Sequence, residues 1–416
     1  MVLLRRLKKS FQPLGITEGF HGMSEKIGLS DVDVNGKNVL TRVDFNVPMD
    51  GKRIVDDTRI QAALPTILQL IDSGAKIVLV THLGRPKGFD VKLSTFPLAE
   101  QLSHLLGQRV KHAVDCIGVE VQAIVSELLA GDVLLLENVR FYKEETENDP
   151  VFARELASLA DIYVNDAFGT AHRAHASTEG VTHYFDQNVA GSLMEQEIRY
   201  LSRVVNDPDR PFIAIIGGAK VSDKITVIEN LINQVDGLII GGGMAYTFFK
   251  SKGMEIGKSI VEPDMLDFAQ DLLNKAEAQG LTIHLPVDNV VGKEFAPDTE
   301  SQIVKSNQIP EDWEGFDIGP ETVEYFGKVV SSAQTVFWNG PVGVYEFDQF
   351  AIGTIELIKR IAASNATSII GGGDCVAAVH KAGVSNQITH VSTGGGASLE
   401  LIEGRILPGI VALTDK

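Results

Sequence analysis

The sequence is short of cysteine, of positive charge and of long apolar runs. Two cysteines in 416 residues, Cys116 and Cys375, cannot build a disulfide framework, so a reducing compartment, the cytoplasm, is expected. No uninterrupted apolar run reaches the ~18 residues that a membrane span needs. Lysine and arginine number 37 against 55 aspartates and glutamates, a net charge of −18. That deficit argues against nucleic acid or an anionic membrane as partner, since both need a broad basic surface. A phosphate ligand must therefore meet positive charge gathered locally.

Two nucleotide motifs are also missing. KGMEIGKS (252–259) is one residue short of the G-x-x-x-x-G-K-[ST] loop and could not wrap a phosphate in the same way. G-x-G-x-x-G is absent: Tyr246, Val376 and Leu399 stand where the third glycine would be. That glycine is needed for close helix–strand packing, so a nicotinamide dehydrogenase is disfavoured. The first 22 residues carry Arg5, Arg6, Lys8 and Lys9 against one acid, Glu18. They read either as a weak targeting segment or as a non-essential extension before an ordinary start at Met23. The second reading is preferred, and the segment plays no part in the fold argument.

From Lys37 onward, apolar runs alternate with periodic stretches such as 57–73 and 263–280. The runs are NVLTRVDFNV, AKIVLVTHLG, DVLLLENVRF and DIYVNDAFG, then PFIAIIGG, GLIIGGG, QTVFWNG, TSIIGGGD and ITHVSTGGG. This alternation predicts buried parallel strands in βαβ units: an α/β protein with two doubly wound, Rossmann-like sheets. The first four runs end in charged or polar residues, among them Arg42, Asp44, Asn46, His82, Arg85, Arg140 and Arg173. The later runs end in glycines. Ligands of open α/β sheets sit at the carboxyl ends of the strands. One half is therefore expected to hold an arginine-lined anion site and the other a glycine-lined site. SLMEQEIRYLSRVVNDPDRP (192–211) reads as the long helix between them.

Several stretches carry the chemistry. In GGAKVSDK, Gly217 and Gly218 would admit a phosphate, and Lys220 and Lys224, four apart, would share a helix face. A solvated basic face is the alternative. GGGDC (371–375) exposes N–H groups, with Asp374 at a helix start. Such a carboxylate is either an N-cap or a Mg²⁺ ligand beside phosphates, and both can hold. Asn339 could donate to phosphate and Glu346 accept from ribose. Arg42, Arg85, Arg140 and Arg173, with Arg59 and His82, suit a small phosphorylated carboxylic acid, because arginine grips such anions bidentately.

RVDFNVP (42–48), HLGRP (82–86), ENVRF (137–141), DAFGTAHRAHAS (166–177), GGAKVSDKI (217–225), WNGPVGVYE (338–346), GGGDCVAA (371–378) and STGGGASLE (392–400) together resemble the phosphoglycerate kinase family. The resemblance implies two Rossmann-like domains joined by a hinge. Residues 23–191 would bind 3-phosphoglycerate or 1,3-bisphosphoglycerate, 192–210 would connect, and 211–403 would bind ADP or ATP with Mg²⁺. Residues 404–416 would return to the first domain. It further implies a phosphoglycerate site of Asp44, Phe45, Asn46, Arg59, His82, Leu83, Gly84, Arg85, Arg140 and Arg173. Nucleotide contacts would come from Gly218, Ala219, Lys224, Gly242, Asn339, Pro341, Glu346, Gly372, Gly373, Asp374 and Cys375, with Asp374 serving the metal. Arg42, Lys220, Gly395 and Gly396 would act on the transferring group. Cys375 departs from the usual Thr or Ser, and a thiol donates more weakly. A carboxylate nucleophile is already ionised at neutral pH, so no general base is required. That fits the lack of an obvious His–Asp pair. A monomer is expected. The rivals are a dehydrogenase on the same architecture and a non-catalytic phosphate-binding regulator.

Overall fold

The computed structural model describes residues 25–416; the extension expected at 1–22 lies outside them. Two six-stranded sheets, parallel throughout, form the frame. In the first, the strand order is 110–112, 133–135, 76–80, 38–42, 162–165, 188–190. In the second it is 282–284, 237–240, 212–216, 335–339, 367–371, 390–391. All nine apolar runs are strands. Their central members, such as Phe212–Ile216 and Thr335–Asn339, are buried along their whole length. A strand covered by helices on both faces must be apolar throughout, and this is why the runs do not alternate.

Strand order reverses once in each sheet. The reversal lies between 38–42 and 162–165 in the first, and between 212–216 and 335–339 in the second. There the helices on either side diverge and leave a crevice beyond the strand ends. Arg42 and Asn165 finish the two strands at the first crevice, and Ile216 and Asn339 those at the second.

Between the sheets runs the helix Ser192–Asn206. It buries Met194, Ile198, Leu201, Val204 and Val205 on one stripe and ends at Asn206, short of Pro211. Asp207-Pro208 stops it, because the residue before a proline is pushed out of the helical region. Glu197, buried in the same stripe, accepts from His390 Nε2 (2.9 Å), Ser392 Oγ (2.8 Å) and the Thr393 N–H (2.8 Å). The helix is thereby tied to the loop before Gly394–Gly396. The end of the chain packs on the first sheet: Gly409 N–H donates to Ala171 O (2.8 Å), Thr414 N–H to Asn188 O (2.9 Å), and Lys26 pairs with Asp415 (2.6 Å).

A smaller antiparallel sheet, 301–305, 288–292, 314–318, was not foreseen. Ser301–Lys305 is largely exposed, and the buried Asp288–Gly292 and Glu314–Ile318 contain Asp, Asn, Glu and Gly, so their apolar signal is weak.

Candidate active site

Beyond the carboxyl ends of the first sheet lies a cleft of about 800 Å³, lined from the loops after 76–80, 133–135 and 162–165. Arg85, Arg140, Arg173, Lys87, Lys143 and His175 line it, with Glu144 as the one acid. In a chain of net charge −18, this concentration marks an anion site. The HLGRP loop is stitched into place by backbone bonds. Arg140 Nη1 donates to Gly84 O (2.8 Å), and Gly84 N–H donates to Asn46 Oδ1 (2.9 Å). Asn138 grips Leu83 through both N–H (3.2 Å) and O (2.7 Å). Gly84 has φ +63°, a conformation that favours glycine. Phe45 and Leu83 are core residues, and Asn46 spends its side-chain oxygen on the loop.

His82 is buried, and its pKa is held well below the ordinary 6.5 by burial and then by the charges of Arg42, Arg140, Arg173 and Arg59. One ring thus senses four arginines from separate segments of the chain. Burial, Arg42 and Arg173 bring Arg140 down to about 10. Burial and the same arginine group bring His175 to about 4.

Arg42 differs from its neighbours. It is 0% exposed, and its nitrogens reach Ser177 Oγ (2.8 Å), His82 Nδ1 (3.1 Å) and Val43 O. It does not present its fork to the cleft, contrary to the expectation that it faces the reacting group. Arg59 is 36% exposed along its side chain and pairs with Asp44.

The second crevice holds a cleft of about 390 Å³, lined by Gly218, Ala219, Gly242, Pro341, Glu346 and Asp374. Here the loops after strands 212–216 and 335–339 cross in backbone contact. A Cβ on Gly217 would stand 2.2 Å from Pro341 O, and one on Gly340 2.2 Å from Gly217 O. Gly217 and Gly218 spend their N–H groups on Asn339 O and Pro341 O, both at 2.9 Å. They are expected to admit a phosphate; their N–H groups hold the crossing, while Gly218 lines the cleft. N–H groups are offered by the start of the helix Gly373–Ala382, which has no side-chain cap. Gly372 precedes it with φ +93°.

The two lysines do not share a helix face. Residues 222–224 form a 3₁₀ turn and the α-helix begins at Ile225. Lys220 is exposed on the preceding loop, where its charge acts on Glu262. Lys224 is turned inward: its Nζ donates to Asn339 Oδ1 (2.6 Å), and burial lowers its pKa. Asn339 Nδ2 is buried without a partner, a donor awaiting an acceptor.

Cys375 packs in the apolar cluster with Ile370, Ala378 and Val379, and its thiol pKa is raised by burial. It lies behind the loop and does not line the cleft. Gly395 (φ +53°) and Gly396 face open space at the start of the helix Gly396–Ile402.

Sequence reasoning missed the far wall of this cleft: Tyr246, Asn289, Phe295, Phe316, Val342 and Val344. It is largely apolar and suits a flat ring. Val342 and Val344 sat inside WNGPVGVYE and were available to be read. Tyr246 lies on the helix Met244–Ser251, directly after GLIIGGG, and was equally available. Asn289, Phe295 and Phe316 come from the small sheet and its connections, with no motif to announce them.

Among the described residues, no cluster of three or more metal-ligating side chains exists. A fully protein-held metal is therefore not built in. One carboxylate at the cleft fits a cation whose other ligands are phosphate oxygens and water. Asp374 meets that description: it lines the cleft, and Tyr345 Oη approaches its carboxylate only at 3.5 Å.

Two parallel-sheet units, each with a phosphate-compatible cleft beyond the carboxyl ends of its strands, define a two-substrate phosphotransferase of the Rossmann-like class. The comparisons with known proteins agree. A family model described as phosphoglycerate kinase matches residues 29–405. The chain is 56% identical over 391 residues to phosphoglycerate kinase 2, chloroplastic, of Arabidopsis thaliana, covering 93% of this chain and 82% of that one. It is 54% identical over 391 residues to the cytosolic phosphoglycerate kinase of Nicotiana tabacum, covering 93% and 98%. The solved structure of phosphoglycerate kinase from Coxiella burnetii superposes with a TM-score of 0.84 at 40% identity, covering 93% of this chain and 98% of that one. The chain belongs to the phosphoglycerate kinase family, the kinases of EC 2.7.2.3. Membership removes the dehydrogenase alternative.

Proposed function

We propose that the chain transfers the acyl phosphoryl group of 1,3-bisphosphoglycerate to ADP, reversibly and in line, giving 3-phosphoglycerate and ATP. The observation that carries the reading is the pairing of a cleft lined by Arg85, Arg140 and Arg173 with a second that ends in a glycine-led helix start and an apolar wall. The first suits a small phosphorylated carboxylate, the second a nucleoside polyphosphate.

In this reading residues 23–191 hold phosphoglycerate, 211–403 hold the nucleotide, and the 192–210 connector lets the halves close, with 404–416 strapped to the first. Closure must bring the reacting oxygens to about 3–3.5 Å and exclude water that would hydrolyse an acyl phosphate. Asp374 would hold Mg²⁺, which neutralises phosphate charge when bound. Asn339 Nδ2 and the N–H groups opening the helix Gly373–Ala382 orient the phosphate chain, while Lys224 fixes Asn339. Lys220, exposed on its loop, follows the transferring group, with Gly395 and Gly396 serving the same group. Arg42 would face the acyl end on leaving its present partners, Ser177 and His82, with Arg59, paired to Asp44, beside the phosphoglycerate. Glu346 accepts from the ribose. A monomer in the cytoplasm is proposed; among the described residues, no helix is long and apolar enough to cross a membrane.

The test is initial rates with MgATP and 3-phosphoglycerate, with product formation coupled to NADH oxidation by glyceraldehyde-3-phosphate dehydrogenase. Turnover that needs both substrates and Mg²⁺ is expected. Binding of both without turnover would make the chain a regulatory relative.

A further inference from the structure

The motif DAFGTAHRAHAS ends in Ser177, to which the proposed reaction gives no task. Ser177 is fully buried, as is Glu145. The Ser177 hydroxyl accepts from Arg42 Nε (2.8 Å) and donates to Glu145 Oε1 (2.7 Å). Its backbone N–H donates to Glu145 Oε2 (2.9 Å), and its carbonyl accepts from Tyr163 Oη (2.8 Å). At the far end of the chain of contacts, Arg42 Nη2 donates to His82 Nδ1 (3.1 Å). Arginine has no acceptor, so Nδ1 must accept and the hydrogen of the neutral ring sits on Nε2.

A buried charge is tolerated only when it is paired and hydrogen-bonded. Here a buried carboxylate and a buried guanidinium are joined through a single hydroxyl. Neither Glu145 nor Ser177 lines the arginine cleft. Yet the line Glu145–Ser177–Arg42–His82 ends on the ring whose surroundings are Arg59, Arg140 and Arg173.

We propose that Ser177 and Glu145 are positioning residues for the arginine cleft: the buried carboxylate, acting through the Ser177 hydroxyl, fixes Arg42 and through it the tautomer and orientation of His82. The proposal rests on the phosphoglycerate reading of that cleft. Side-chain networks of this kind are worth more than their single bonds suggest, because each member orients the next.

The experiment is calorimetry of 3-phosphoglycerate and of MgATP, with nitrogen-15 spectra of the His82 ring, on wild type, Ser177→Ala, Ser177→Thr and Glu145→Gln. Loss of a hydrogen bond to a charged group predicts a roughly tenfold weaker Kd for 3-phosphoglycerate in Ser177→Ala. The MgATP Kd stays within about twofold, since that cleft shares none of these contacts. His82 changes from a single Nε2–H tautomer to a mixture, and Ser177→Thr, which keeps the hydroxyl, restores both readouts. Unchanged phosphoglycerate affinity with an unchanged His82 spectrum overturns the proposal. So does an equal loss for both ligands, which would mark a general defect of folding. If Ser177→Ala does not fold, Glu145→Gln supplies the same two readouts, and the same results support or overturn the proposal. Wild-type protein that binds no 3-phosphoglycerate overturns the functional reading instead, while the His82 spectrum still reports on the network.

Discussion

The two clefts occupy equivalent places, each beyond the carboxyl ends of a parallel sheet, yet they are built from opposite materials. The first is made of side chains: Arg85, Arg140 and Arg173 on three different segments, steadied by Asn138 and Asn46. The second is made of backbone: the Gly217–Gly340 crossing, Gly372 and the start of the helix Gly373–Ala382. The difference follows from the proposed ligands. A small, highly charged acid offers little surface, so it must be gripped by long forks that meet from several directions. A polyphosphate chain lies along a loop, where N–H groups at a helix start serve it without side-chain entropy cost. The clefts also differ in what they tolerate. An arginine can be shortened and leave its neighbours standing, whereas a glycine at φ +93° cannot gain a Cβ without strain.

The sharpest way to break the comparison is at Lys220, an exposed charge proposed to follow the group that passes between the clefts. Lys220→Ala is expected to lower kcat by about 10²–10³, the cost of removing one transition-state donor, with little change in nucleotide KM. Steady-state kinetics decide, and equal effects on both would remove Lys220 from the transition state. Next is Arg85→Ala, which should weaken 3-phosphoglycerate binding by roughly tenfold or more and spare ADP. Calorimetry giving the reverse would mean the two clefts have been exchanged. Gly372→Ala should do the opposite, weakening ADP by about tenfold, since left-handed backbone costs a side chain ~1–2 kcal/mol. Its Cβ would also stand 3.0 Å from Asn339 Nδ2.

Acid should separate the halves more gently. His82, His112, His172 and His175 in the first half, and His284 in the second, have pKa values lowered by burial. Below the ordinary 6.5 the unfolded chain takes up protons that the folded chain refuses, so stability falls as pH drops through that value. Asp166, pushed up to about 7, and Asp317, raised well above its ordinary range, act the other way, one in each half. The balance predicts that the first half loses protection earlier. Amide hydrogen exchange at pH 5.5 and 7.5 checks this, and faster opening of 212–391 would refute it. The smallest effect is expected at Cys375. Cys375→Ser should cost about 1 kcal/mol of stability or less, because the Gly340 N–H that bonds the thiol can donate to the hydroxyl instead. The nucleotide KM should move less than about twofold, because the side chain lies behind the loop.

Much of this protein was legible along the chain. The nine apolar runs are strands, and their endings separate an arginine cleft from a glycine cleft, because burial on both faces demands an unbroken apolar run and ligand chemistry gathers at its end. Strands of the small sheet were not legible. Ser301–Lys305 is largely exposed, and the buried Asp288–Gly292 and Glu314–Ile318 mix Asp, Asn, Glu and Gly with their apolar residues, so no unbroken apolar run marks them. The roles of like residues were not legible either. Arg42 and Arg59 are both arginines near one strand, but one is sealed against Ser177 and His82 and the other is partly exposed. Lys220 and Lys224 carry the helical spacing, but the chain is loop at Lys220 and a 3₁₀ turn at 222–224, which sends them to different places. Residue type and local period set which elements form and which chemistry is present. Which charge is buried and which faces a ligand depends on contacts between segments far apart in the chain, and only the packed structure supplies those.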